Sequence, residues 1–211
     1  MNMKSKTLQI TVVVLSVIAV IAACSEASSN DKETKKDDIS TIRKKEKDEL
    51  IARGKYLVTI ALCHDCHPPK IMTAQGPILD SSRLLSGFPV ENGIPTLSSA
   101  LAKDQNWVKM SQDVTAFAGP WGMSFAANLT PDEATGIGNW TEQVFIKTLR
   151  TGKHLGQEGG RPVMPPMPWE MVSKMTDEDL SSVYTYLMSL PAINNRVPAP
   201  IPPNEIKITK Q

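Results

Sequence analysis

The sequence predicts an all-α domain in which a few helices enclose long irregular segments. Two segments, one on each side of the chain's middle, carry apolar residues at helical spacing, and a shorter third one lies between them. The region from Pro68 to Asn139 is rich in Gly, Pro, Ser and Asn, with only a possible helix around Thr96 to Met110. Few segments alternate apolar and polar residues as strands do, so we expect loops there.

The first helix is predicted from apolar and small residues that share one face: Leu50, Gly54, Leu57, Val58 and Ala61. Gly54 is the unusual member of this face. A glycine inside a helix costs about 1 kcal/mol relative to alanine. Its presence therefore predicts that another helix approaches the backbone closely at this point.

The last helix is predicted to begin after Thr176, whose hydroxyl can cap it, and to end before Pro191. The residues of its apolar stripe are Leu180, Val183, Tyr184, Leu187 and Leu190. A third helix is predicted from Thr141 to Arg150, capped by Thr141 and stopped by Gly152.

The N-terminus carries the features of an export signal. Lys4 and Lys6 precede an apolar run from about Ile10 to Ala23, which is too short to span a bilayer comfortably. The run ends in Ile21-Ala22-Ala23-Cys24, which resembles the lipobox of bacterial lipoproteins. Residues 1–23 are therefore predicted to be a lipoprotein signal peptide and Cys24 the lipidated first mature residue. An uncleaved anchor is the alternative, and either one places the chain on a membrane, facing the periplasm or the cell exterior.

The remainder of the chain divides by composition. Residues 24–46 are strongly charged and predict a flexible linker. Residues 47–195 are expected to fold as one domain, and residues 196–211 to form a Pro-rich tail that packs along it in extended form. The formal net charge of +1 comes with no basic patch, so a nucleic-acid partner is not expected.

Cys63, Cys66 and His67 form a CxxCH pattern. Two thiols at this spacing can reach the two vinyl groups along one edge of a porphyrin, and the following imidazole then lies under the iron. The pattern resembles the haem attachment site of bacterial c-type cytochromes. A zinc site would need a second close pair of ligands, which the remaining Cys and His do not supply. A thioredoxin-like redox pair would be expected within a βαβ pattern, and none surrounds the motif.

The order of features resembles class I cytochromes c: a helix, CxxCH, loops, a helix, a methionine beside proline, and a last helix. A closer resemblance, over about residues 47 to 195, is to monohaem domains related to cytochrome subunits of periplasmic dehydrogenases. The motifs that carry it are Arg53-Gly54-Lys55-Tyr56-Leu57, Thr130-Pro131-Asp132, Thr135-Gly136-Ile137-Gly138-Asn139-Trp140 and Pro166-Met167-Pro168-Trp169. It implies a cytochrome c fold with crossed first and last helices, where Gly54 and Tyr56 meet Val183 and Tyr186. Since the chain has one CxxCH, we expect one covalent haem c.

The second axial ligand of the iron is expected in the segment from Arg161 to Trp169, where prolines would hold the chain stiffly. Met164 and Met167 both qualify as soft sulfur ligands. The family resemblance implies Met167, the methionine followed by proline and an aromatic residue. His154 is a third candidate, and an iron with an open coordination position is a fourth possibility.

Further residues are predicted to surround the haem. The second ring nitrogen of His67 needs a hydrogen-bond partner, and the Pro77 carbonyl is the candidate that the family resemblance suggests. Trp140, Tyr56 and Arg83 are candidates for the haem edge or propionates, with core packing as the alternative for the two aromatics. His64 is expected at the surface.

The predicted function is electron transfer by a His/Met haem, with no catalytic residue and no enzymatic activity. Redox proteins, such as a dehydrogenase or a terminal oxidase, are the expected donors and acceptors. Two competing functions are a haem enzyme or small-ligand sensor with an open or weakly ligated iron, and a permanent cytochrome subunit of a dehydrogenase complex.

Overall fold

The computed structural model describes residues 40–104 and 106–209. The predicted signal peptide and Cys24 lie outside these residues. Helix α1 covers residues 40–60, and residues 40–48 are exposed along its first part. By contacts the chain divides into two units at Asp48 and Glu49, the second of which carries the remaining elements. No helix in the described ranges is long and apolar enough to cross a bilayer.

The helices of the second unit are short. They are α2 (Cys63–Cys66), α3 (Ser99–Lys103), α4 (Glu142–Thr151), α5 (Trp169–Val172) and α6 (Asp177–Met188). Both predicted caps are present, since Thr141 accepts from the Val144 amide and Thr176 from the Asp179 amide. Gly152 ends α4 with φ +63°. The predicted third and last helices are thereby confirmed.

Three small β-sheets show that the all-α prediction is wrong. Strands β1 (Lys70–Thr73) and β2 (Gly76–Leu79) form a hairpin, and β4 (Lys109–Met110), β5 (Ala116–Gly119) and β6 (Gly122–Phe125) form an antiparallel sheet. Strands β3 (Leu97–Ser98) and β7 (Ile208–Thr209) pair in parallel.

These strands are two to four residues long, too short for an alternation to stand out. Their glycines had indicated loops, but two of them build hairpin turns instead. Gly76 and Gly122 lie at the turns with φ of +113° and +102°, values that glycine adopts without strain. The possible helix around Thr96 to Met110 is present but shorter than predicted, because Ser99–Lys103 is helical and Lys109–Met110 is a strand.

Helix α1 crosses α6 at Gly54. A Cβ on this glycine would lie 2.0 Å from the Ser182 carbonyl oxygen and 2.7 Å from the Cβ of Tyr186. The close approach predicted at Gly54 is therefore confirmed. The core grows around this crossing, and its buried members are Leu57, Val58, Leu85, Ile137, Phe145, Val183, Tyr186 and Leu187.

The C-terminal tail packs along the domain, as predicted. Met123 and Ile201 exchange two main-chain hydrogen bonds of 2.8 Å. Upstream, the buried Asn195 amide donates to the carbonyls of Ser86 and Phe88 at 2.7 and 2.8 Å. Asn195, just before the tail, thus fixes the segment around Gly87, which lies beside the candidate site.

Candidate functional site

The CxxCH motif occupies α2, a single turn that follows directly on α1. Leu62, with φ +58°, bends the chain between the two helices. Because residues three apart are neighbours on a helix, Cys63 and Cys66 lie on one face of the turn. The His67 amide donates to the Cys63 carbonyl at 3.1 Å, so the imidazole follows directly from the same turn.

The two thiols are half-buried and unlinked. Burial raises the pKa of Cys63 to about 11 and also raises the pKa of Cys66. A dithiol that exchanges with disulfides has a lowered pKa in at least one thiol. The environment of this pair is therefore unlike that of a thioredoxin-type site. Within the described ranges no three His, Cys, Asp or Glu side chains are grouped to hold a metal ion, which disfavours the zinc alternative.

The imidazole of His67 is buried and held in one orientation. Its Nδ1 lies 2.8 Å from the carbonyl oxygen of Ala127. Since a carbonyl only accepts, Nδ1 must carry the proton, and Nε2 then presents a lone pair. Burial also lowers the pKa of His67, which favours the neutral ring. The arrangement is that of a histidine prepared to bind a metal ion through Nε2.

The acceptor is Ala127 rather than Pro77, so the prediction for the second ring nitrogen was wrong. Pro77 lies in the exposed β1–β2 hairpin, opposite Met72. Any main-chain carbonyl can accept this bond, so no residue type marked Ala127 in the sequence.

Gly87 brings the Ala127 segment close to His67. Its amide donates to the His67 carbonyl at 2.5 Å. With φ +83°, a Cβ at this position would lie 2.6 Å from the Ala126 carbonyl oxygen. Glycine is thus required both by the backbone conformation and by the close contact.

The methionine segment is attached to the domain at several points. The Val163 amide donates to the Gly152 carbonyl at 2.7 Å, and the Trp169 ring lies against Gly152, leaving no room for a Cβ. Between these points, the Met167 amide donates to the Met164 carbonyl at 3.2 Å. Both methionines are half-buried.

Strand β6 connects the methionine segment with His67. The Ser124 hydroxyl donates to the Pro165 carbonyl at 2.5 Å. Three residues later, the Ala127 carbonyl accepts from His67. At about 3.3 Å per residue, these two anchor points are roughly 10 Å apart along an extended chain. The same short stretch therefore holds both segments that carry the predicted axial ligands.

The aromatic candidates differ in their surroundings. Tyr56 is 54% exposed and lies beneath the Arg53 guanidinium. Trp140 packs against the core and meets the His154 ring edge-on, with centroids 5.5 Å apart. His154 is half-buried, and its amide donates to the Arg161 carbonyl at 2.9 Å. Core packing accounts for Trp140, and His154 lies beside the methionine segment.

Three buried side-chain atoms of the described residues have no hydrogen-bond partner: Nδ1 of His64, Nη2 of Arg83 and Oγ of Ser86. His64, expected at the surface, is half-buried between the two cysteines. The other two atoms belong to the loop of residues 80–87, whose two ends are hydrogen-bonded to His67 and to Pro69, two residues after the CxxCH motif. The Asp80 amide donates to the Pro69 carbonyl at 3.0 Å, and the Gly87 amide to His67. Arg83 is paired with Glu91 through Nη1, and its Nη2 is the part of the guanidinium without a partner.

Several curated proteins are similar to this chain in sequence. The cytochrome c subunit of an alcohol dehydrogenase (quinone) from Gluconacetobacter polyoxogenes is 30% identical over 161 residues, 75% of this chain and 26% of the relative. The chain is related to cytochrome c subunits of dehydrogenases. The gluconate 2-dehydrogenase cytochrome c subunit of Pantoea cypripedii is 28% identical over 141 residues, 67% of this chain and 23% of the relative.

A third relative, the fructose dehydrogenase cytochrome subunit of Gluconobacter japonicus, is 38% identical over 74 residues, 35% of this chain and 15% of its own length. The chain therefore spans about a quarter or less of the length of these relatives. No family model matches it. The predicted relation to dehydrogenase cytochrome subunits is confirmed at this level.

Proposed function

We propose that this protein transfers single electrons through one covalently attached haem c. The observation that carries the proposal is the orientation of His67, whose Nδ1 is bonded to Ala127 so that Nε2 is left as a ligand atom. Cys63 and Cys66 lie on the same turn and would hold the group through thioether bonds. The relation to cytochrome c subunits supports the same cofactor.

The surrounding residues fit such a group. When bound, haem supplies an iron that cycles between the ferric and ferrous states. The two thioether bonds would prevent its loss, and the bond to Ala127 would keep the His67 ring fixed during each cycle. Nη1 of Arg83 donates to Glu91, whereas Nη2 is unpaired. This Nη2 and the buried Ser86 hydroxyl are donors of the kind that a propionate carboxylate satisfies.

Met167 is proposed as the second axial ligand, with Met164 as the alternative. Both lie on the segment that Ser124 fixes near the His67 site. A thioether sulfur favours ferrous iron, which suits an electron carrier. Replacing Met167 by Ala should abolish the near-infrared sulfur-to-iron band of the ferric protein, whereas Met164→Ala should keep it. Loss of the band in Met164→Ala alone would transfer the role to Met164.

The ferric spectrum also separates the carrier from a haem enzyme or ligand sensor. A low-spin spectrum with slow cyanide binding is expected for a closed His/Met iron. A high-spin spectrum, with rapid binding of cyanide or of carbon monoxide to the ferrous form, would overturn the carrier function.

The proposed partner is a dehydrogenase, because the relatives are named as cytochrome subunits of fructose, gluconate and alcohol dehydrogenases. A permanent cytochrome subunit of a dehydrogenase complex is the second candidate, which the names of the relatives favour. Isolation of the native protein from membranes in mild detergent tests it. A dehydrogenase flavin or quinone that co-purifies in fixed ratio indicates a subunit, whereas a protein recovered alone indicates a mobile carrier.

We also propose that the mature chain is tied to a membrane through lipid on Cys24 and faces the periplasm or the cell exterior. The lipobox-like residues before Cys24 support this. Labelled palmitate should be incorporated into the wild type and lost in Cys24→Ser. Label that survives this substitution would contradict lipidation at Cys24.

A further inference from the structure

Lys70 is the first residue of β1 and lies three positions after His67. Its ammonium donates three hydrogen bonds to main-chain carbonyls: Asp65 at 2.7 Å, Pro68 at 2.9 Å and Asp113 at 3.0 Å. A lysine has three N–H donors, so these contacts use all of them. The side chain is half-buried, and its position is fixed further by the pairing of β1 with β2.

Two of the three acceptors lie on either side of Cys66 and His67 in the sequence. The Asp65 carbonyl directly precedes Cys66, and the Pro68 carbonyl directly follows His67. The ammonium is therefore bound to the main chain on both sides of the Cys66–His67 pair. Carbonyl oxygens carry only partial negative charge, so they hold the cation in place without cancelling its full charge.

The carboxylates of Asp113 and Asp65 both lie close enough to the Lys70 ammonium to interact with its charge. The Asp113 side chain accepts from the Thr115 hydroxyl at 2.8 Å and also from the Ser111 hydroxyl. Its main-chain carbonyl is the third acceptor of Lys70. The Lys70 ammonium and the Asp113 carboxylate thus lie near the same site but are held by different hydrogen bonds. A substitution can therefore remove one of the two charges and leave the other in place.

We propose that Lys70 is a positioning and electrostatic tuning residue, whose fixed positive charge beside His67 favours the ferrous state of the iron. The physical reason is that ferric iron carries one more positive charge than ferrous iron, and a nearby cation opposes that charge. Partial burial of Lys70 limits the screening that would abolish this effect at the surface. The proposal rests on the proposed haem function, because it concerns the potential of that haem.

The test is a spectroelectrochemical titration of the haem-loaded full-length protein. At the midpoint potential of the wild type, Lys70→Met should lower the ratio of ferrous to ferric protein roughly threefold to tenfold. Coulomb's law gives an effect of this size for a unit charge roughly 10 Å away at an effective dielectric between those of protein and water. Lys70→Arg, which keeps the charge, should restore most of the ratio.

Asp113→Asn provides the matched variant, because it removes a negative charge from the same site and keeps an oxygen acceptor for Thr115. The ratio of ferrous to ferric protein should then rise. Lys174→Met, which removes an exposed lysine, should leave the ratio unchanged. The electrostatic role would be overturned if Lys70→Met and Asp113→Asn shifted the ratio in the same direction, or if Lys70→Met left it unchanged.

Haem content separates the two proposals. A wild-type protein that holds no covalent haem overturns both of them. A haem-loaded wild type whose potential is unaffected by Lys70→Met overturns only the role of Lys70. The melting temperature of each haem-loaded variant is measured as well. If Lys70 made only a structural contact, its loss would lower the melting temperature, and Lys70→Met and Asp113→Asn would not shift the potential in opposite directions.

Discussion

At the scale of single residues, the orientation of His67 depends on the absence of a side chain at Gly87. Replacing Gly87 by Ala places a Cβ 2.6 Å from the Ala126 carbonyl oxygen, at a backbone φ of +83°. The free energy of unfolding should fall by about 2 to 4 kcal/mol, from conformational strain together with overpacking. Urea denaturation of the haem-loaded protein measures this loss.

Gly93 offers the matched control for this substitution. Its φ is +71°, but a Cβ would meet no atom within 4 Å. Gly93→Ala should therefore cost only the conformational term, about 1 to 3 kcal/mol for an alanine at φ +71° and ψ 160°. Equal losses in the two variants would show that the contact between Gly87 and Ala126 contributes nothing to the site.

At the scale of helices, the crossing of α1 and α6 depends on Gly54. Alanine would gain about 1 kcal/mol of helix propensity there. Its Cβ would, however, lie 2.0 Å from the Ser182 carbonyl oxygen, which forces the helices apart. We expect a net loss of about 1 to 3 kcal/mol in the free energy of unfolding. The exposed neighbour Lys55→Ala should change it by less than about 0.5 kcal/mol, and a Gly54→Ala protein more stable than wild type would contradict the crossing.

The start of α6 depends on the Thr176 hydroxyl, which accepts from the Asp179 amide at 3.1 Å. Thr176→Ala should lower the free energy of unfolding by about 1 kcal/mol, because one amide loses its acceptor. Thr176→Ser keeps the hydroxyl and should retain nearly full stability. A similar loss in both variants would mean that the methyl group, not the cap, is important.

The three longer helices, α1, α4 and α6, could be predicted from the sequence and the strands could not, for a physical reason. An apolar stripe such as Leu180, Val183 and Leu187 repeats over two turns and is bounded by a cap, so local signals agree with each other. A strand such as Ala116–Gly119 is four residues long and is defined by its partners in β4 and β6. Its strand state depends on tertiary pairing, which no short window of sequence contains.

At the scale of the whole molecule, the residue just before the C-terminal tail, Asn195, supports the site. This side chain is 6% exposed and bonds two carbonyls on either side of Gly87. Asn195→Ala would leave these buried carbonyls without their donor and should cost about 2 to 4 kcal/mol in the free energy of unfolding. Chemical denaturation measures it, and the exposed Asn194→Ala is the control. Equal stability of Asn195→Ala and Asn194→Ala would contradict the role of the Asn195 side chain in holding the segment around Gly87.

The proposed haem residues, namely the two cysteines, His67 and the methionine segment, could be selected from the sequence because their residue types carry the expected chemistry. The sequence did not locate the main-chain groups that hold these residues in place. The Ala127 carbonyl and the three carbonyls that bind Lys70 are main-chain groups, present in every residue, so only the folded chain selects them. Arg83 was a candidate from sequence, and its role at the propionates stays a prediction.

The most direct test of covalent haem at this site is the intact mass of the full chain expressed with a periplasmic haem-attachment system, in wild-type and Cys63→Ser, Cys66→Ser form. We predict that the wild type carries the mass of one haem that survives denaturation, and that the double variant carries none. A wild-type mass without haem, or haem retained by the double variant, would contradict attachment at Cys63 and Cys66.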